Sequence, residues 1–105
     1  MLRINKYLFY YVCNKDIDVY NEIIEIIRQE YNTTIYKLTQ TQNCQEVRFL
    51  IHKLVGIVSS CIDTNQECIY LCRCLLQIPK STTDFTLYKS YIDLLTNLDR
   101  STIGL

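Results

Sequence analysis

Residues 43–62 read Asn43-Cys-Gln-Glu-Val-Arg-Phe-Leu-Ile-His52-Lys-Leu-Val-Gly56-Ile-Val-Ser-Ser-Cys-Ile62. Set at 100° steps on a wheel of 3.6 residues per turn, Val47, Leu50, Ile51, Leu54, Val58 and Cys61 gather on one side. That stripe is wide enough to be the buried face of a helix in a globular protein. The stretch therefore predicts a helix of about five turns. His52, the only histidine in the chain, falls nearly opposite the stripe. Gly56 lies one turn further along the same outer face, with Gln45, Arg48, Phe49 and Ser59 around it. A histidine inside an apolar stripe is most often a hydrogen-bonded core residue, whereas this one is predicted to face solvent.

Gly56 sharpens the point. A glycine in mid-helix costs about 0.5–1 kcal/mol relative to alanine, so it calls for a compensating reason. Close approach of another surface is one. Residues four apart are neighbours on a helix, so the missing side chain leaves a bare patch beside the imidazole. The bland alternative is a tolerated glycine next to an incidental surface histidine.

Working outward, the 105 residues suit a single domain with one modest core. Hydrophobic residues make up 49% of the chain, which argues against disorder. Eleven Lys and Arg balance eleven Asp and Glu, so the basic excess of a nucleic-acid binder is missing and no nucleic-acid partner is expected. No apolar run approaches the roughly 20 residues that span a bilayer, so no membrane partner is expected either. The opening Met1 to Cys13 has two basic residues before a short, tyrosine-rich run without a small-residue cleavage site. It reads as a packed segment of the mature domain rather than a signal peptide, and a cytoplasmic, intracellular protein is expected.

Six cysteines in so short a chain raise the question of a disulfide framework, but such frameworks belong to small secreted domains with poor cores. Here the cysteines sit within helical patterns and read as reduced, buried thiols. Cys68 and Cys72 share a helix face, yet no second pair with ligand spacing accompanies them and His52 points outward, so no metal is expected. Asn32-Thr33-Thr34 matches a glycosylation acceptor but falls in mid-helix, where it carries little meaning. No cofactor motif is present.

In chain order, residues 3–13 are rich in strand-favouring Tyr and Phe, yet no second strand candidate is evident. They are expected to form a short helix packing Ile4, Leu8 and Val12 onto the rest. Asp16 and Asp18 are candidate N-caps for a long helix over 17–39 with Tyr20, Ile24, Ile27, Tyr31, Ile35 and Leu38 inward, widened by Ile23 and Ile26. Thr39 to Gln42 is a polar break, and Asn43 with Glu46 resembles a capping box for the central helix. Thr64 with Glu67 is a second such box, opening a helix over 65–77 that Ile78-Pro79 stops. Its inward side is Cys68, Ile69, Cys72, Leu75 and Leu76. A last helix over 84–100 has Phe85, Tyr88, Ile92 and Leu95 as its stripe, and 101–105 is expected to fray. Short links between amphipathic helices predict an all-α fold, an up-down antiparallel four-helix bundle with a short extra N-terminal helix, as one domain over 1–105.

With that order in view, His52-Lys53-Leu54-Val55-Gly56 resembles the His-x-x-Lys-Gly signature of histidine-containing phosphotransfer (HPt) domains. The likeness in helix order covers residues 17–100. In that family the signature helix is the second of a four-helix bundle, and its exposed histidine takes a phosphoryl group from a receiver domain and passes it to another. The resemblance implies that His52 is the phosphoacceptor, Gly56 the docking gap, and the partner a receiver-like protein in a phosphorelay of two-component signalling. Free histidine titrates near about pH 6.5, so a neutral ring able to attack is available at cellular pH. Phosphoryl transfer asks mainly for positioning and charge stabilisation. The sequence departs from the family where Val55 occupies the lysine position. Lys53 sits about 100° around the helix from His52, and Arg48, one turn earlier, is the alternative cation. The small residues that follow the family's motif are mostly replaced by Ile57, Val58 and Ile62, with Ser59 and Ser60 keeping part of the character.

Three functions are therefore expected to compete. The first is a phosphocarrier rather than a turnover enzyme, with His52 as acceptor and Arg48 and Lys53 as charge support. The second is a degenerate HPt-like binding module whose Gln45, Phe49, Val55, Gly56 and Ser59 surface docks a partner without transfer; exposed Phe49 would anchor it. The third is a helical subunit of a larger complex or homo-oligomer, with its tyrosines at the interface. One histidine without a paired motif or glycine-rich loop leaves little from which to assemble a conventional active site.

Overall fold

A computed structural model describes residues 3–4, 10–11, 13–63, 66–82 and 84–102. The elements in chain order are β1 (Arg3–Ile4), α1 (Ile17–Gln40), α2 (Cys44–Cys61), β2 (Ile62–Asp63), α3 (Gln66–Gln77) and α4 (Phe85–Thr102). Four helices make the body of the fold, and the two strands are two residues each.

The helices α1, α2 and α4 each start where a side chain takes up free amides of the first turn. Before α1, the Asp16 carboxylate accepts from Asp18 N–H at 3.0 Å and Val19 N–H at 3.2 Å. A tight turn feeds it, closed by the Asp16 N–H to Cys13 carbonyl bond at 2.8 Å, with Asn14 and Lys15 both left-handed at φ 50° and 62°. Before α2, the Asn43 side-chain oxygen accepts from Gln45 and Glu46 N–H at 2.9 and 3.1 Å. The reciprocal half of this box is relayed. Thr41 Oγ1 accepts from Asn43 N–H at 3.1 Å and donates to the Glu46 carboxylate at 2.9 Å. Asp84 opens α4 by accepting from Thr86 N–H at 2.9 Å, and the Thr86 side chain together with this backbone bond holds the Asp84 carboxyl below its ordinary value. Thr64, the expected cap of α3, lies outside the described residues.

The core is built from one stripe per helix. Tyr31, Ile35 and Leu38 of α1 meet Leu50, Leu54 and Val58 of α2, and Cys72, Leu75, Tyr88 and Ile92 close the other side. Leu54 and Val58 retain no solvent exposure, and burying such a side chain contributes about 1.5–3 kcal/mol. Thr34 is buried among them and is satisfied by donating to the Glu30 carbonyl at 2.7 Å. The α2 stripe matches the expected one closely, with Cys61 half-buried at its end. Ile69, Leu76 and Phe85 are only half-buried, and Phe85 stacks on Tyr88 with ring centroids 6.4 Å apart.

Three expectations need correction. Arg3–Ile4 is a strand rather than the start of a helix, pairing antiparallel with Ile62–Asp63. The backbone leaving α2 supplies the partner that the sequence did not reveal, because Ile62 reads as the last turn of the helix there. Helical turn at residues 10–11 is all of the expected leading helix that the described residues contain, and Leu8 and Val12 lie outside them. Ile26, expected to widen the α1 stripe, is 60% exposed, and the buried positions of α1 begin only at Ile27. Finally, α4 continues through Ser101 and Thr102 instead of fraying at 101.

Candidate functional site

The outer face of α2 is the direct counterpart of its buried one. With Val47, Leu50, Ile51, Leu54 and Val58 turned inward, the helical period turns Gln45, Phe49, His52, Gly56 and Ser59 to solvent, and all five are exposed. Phe49 is 68% exposed, a large ring with no part in the core. Among the described residues none hydrogen-bonds or ion-pairs with the His52 imidazole. Among the described residues nothing lies within 4 Å of the position a Cβ on Gly56 would occupy. The fold itself thus gives no steric reason for a glycine there, while the helix bears its full conformational cost.

The residues expected to support charge are placed differently. Arg48 is half-buried and reaches away from α2. Its Nη1 donates to the Ile78 carbonyl at 2.7 Å and its Nη2 to the Leu76 carbonyl at 3.2 Å. Lys53 Nζ pairs with the Glu30 carboxylate of α1 at 2.8 Å. The hydrogen bond and charge of Lys53 hold the Glu30 carboxyl below its ordinary value, and Lys37 adds to the effect. Val55 is half-buried and packs against the core, so it borders the exposed face rather than lying on it. The structure therefore brings Gln45, Phe49, His52, Gly56 and Ser59 onto one surface and commits both nearby cations elsewhere. Glu30 was invisible as a participant, since no local pattern links it to a residue 23 positions later.

The thiols form no competing site. None of the six cysteines forms a disulfide, and among the described residues no group of three or more His, Cys, Asp or Glu side chains gathers to hold a metal. Cys68 hydrogen-bonds Cys72, which together with burial pushes the Cys72 thiol far above the ordinary range and makes it a poor nucleophile. A cleft of about 290 Å³ opens between the end of α1, the following link and α4, with Leu38, Thr41, Phe85, Lys89 and Asp93 among its lining. It includes none of the His52-face residues. Among the described residues no helix is long and apolar enough to cross a membrane.

Compared with protein-family models, with curated proteins and with solved structures, the chain has no match.

Proposed function

We propose that the chain is an HPt-like module, an up-down antiparallel four-helix bundle that docks a receiver-like protein on its His52 face and carries a phosphoryl group on the imidazole. The observation that carries this reading is the exposed His52, without a partner among the described residues, with space over Gly56 one turn further on that none of them fills. The antiparallel order is supported by three contacts. Glu30 and Lys53 meet at matching distances from the short α1–α2 link. Arg48, near the start of α2, reaches the end of α3. The end of α1 and the first half of α4 share a cleft.

The chemistry asks little of the bundle. An unprotonated ring nitrogen attacks the phosphorus of an aspartyl phosphate on the partner. The N–P bond forms as the acyl O–P bond breaks, and the aspartate leaves as its carboxylate. Transfer to a second receiver is the same exchange reversed. The partner approaches over Gly56 and packs on Phe49. The bundle supplies position, and it acts as a carrier rather than a turnover enzyme. A cytoplasmic location suits this reading and six cysteines that form no disulfide.

A second reading, docking without transfer, is favoured by one observation: Arg48 and Lys53 are both engaged away from the imidazole while Val55 holds the family's lysine position. The two are separated by incubating the protein with phosphorylated receivers. Transfer predicts an acid-labile, base-stable phosphate that His52→Gln abolishes. Absence of label with several donors, or label that persists in His52→Gln, leaves only the docking module. In that case His52→Gln binds the partner nearly normally while Phe49→Ala weakens binding.

A further inference from the structure

Arg48 stands one turn before His52 on α2, yet its side chain closes a different helix. The two carbonyls it donates to, Leu76 and Ile78, are those left over where α3 stops at Gln77. Pro79 follows and has no N–H to offer. The connector beyond is held by two backbone bonds, Ile78 N–H to Leu75 at 3.3 Å and Thr82 N–H to Pro79 at 2.9 Å. The half-buried guanidinium is thus a tie between α2 and the α3–α4 connector.

Arg48 and His52 also occupy neighbouring positions on α2, although the guanidinium is turned to the end of α3 at rest. Residues four apart are adjacent on a helix, and helical side chains lean toward the N-terminus, so His52 leans back over Arg48. A phosphoryl group on His52 introduces a dianion at a place that now carries none. A phosphate accepts the planar fork of a guanidinium more strongly than two separate neutral carbonyls do. Competition from the same helix is small, because Val55 is apolar and Lys53 is turned to Glu30.

We infer that Arg48 is a two-position switch. At rest it ties the end of α3 to α2, and a phosphoryl group on His52 draws it off those carbonyls and loosens the connector over 78–82. The loosened connector is a second surface on which the loaded and unloaded protein differ, away from the His52 face. This rests on reading His52 as a phosphoacceptor but not on the identity of its donor.

The test uses the full chain and phosphoramidate, a small donor that needs no receiver. The ring nitrogen forms its bond to phosphorus as the P–N bond breaks, and ammonia leaves with a proton from solvent. Amide hydrogen exchange at Ile78 and Thr82 is expected to quicken about tenfold or more on loading, as for a locally opened segment. Arg48→Lys, which cannot bridge both carbonyls, is expected to exchange fast already and to change little on loading; His52→Gln is expected not to respond. A readout needing no variant is the ¹⁵N resonance of the Arg48 guanidinium, which is expected to move on loading. Loaded protein with unchanged Ile78 and Thr82 exchange and an unmoved Arg48 resonance overturns the switch, as does failure of phosphoramidate to load His52. If phosphoramidate loads His52, quickens exchange and moves the resonance while phosphorylated receivers transfer nothing, the relay reading fails and the switch stands.

Discussion

Lys53 Nζ lies 2.8 Å from the Glu30 carboxylate, so the lysine beside the exposed histidine is held by α1 rather than turned to its neighbour. Both partners are substantially exposed, and such pairs hold weakly in salt. The folded-state Glu30 carboxyl stays charged to a lower pH than in the unfolded chain. Its pairing therefore contributes stability above the unfolded value and loses it as the pH falls through the lowered folded one. We expect Glu30→Gln to be slightly less stable than the parent at neutral pH and low salt. The difference should vanish in acid and at high salt. Thermal melts of both proteins across pH and ionic strength check this, and a difference that persists in acid would mean the carboxylate is not its source.

Gly56→Ala separates what the fold needs from what a partner needs. With none of the described residues within 4 Å of the new methyl, the substitution is expected to stabilise the helix by about 0.5–1 kcal/mol. Docking over that position is expected to weaken at the same time. Urea denaturation and partner titration give the two readouts. A more stable protein with unimpaired binding would remove Gly56 from the interface.

Tyr88 carries a fully buried hydroxyl with no hydrogen-bond partner among the described residues. A buried polar group left unpaired costs about 1–3 kcal/mol, so Tyr88→Phe is expected to leave stability unchanged or raise it by about 1 kcal/mol. Chemical denaturation measures the change. A clear loss of stability would show that the hydroxyl has a partner after all.

How much of this was legible in the sequence differs from element to element. The five buried positions of α2 follow from apolar spacing, and Asn43 as a cap from its local pattern, whereas the sequence offered both Asp16 and Asp18 before α1 and the structure caps with Asp16. The β1–β2 pairing was not legible, since two residues of strand carry no period and their partner lies about sixty positions away. The exposure of Ile26 was legible: it stands about 100° around the helix from buried Ile27, off the stripe of Tyr31, Ile35 and Leu38.

The chain's own pattern fixed that His52, Phe49 and Gly56 share an outward face, because one helical period dictates both faces of α2. Only the folded molecule decided where the nearby cations go. Arg48 and Lys53 have long side chains whose partners, the Leu76 and Ile78 carbonyls and Glu30, come from other helices. Local spacing sets direction within one element, whereas the choice of a charge's partner depends on which backbone and side-chain atoms tertiary packing brings within reach.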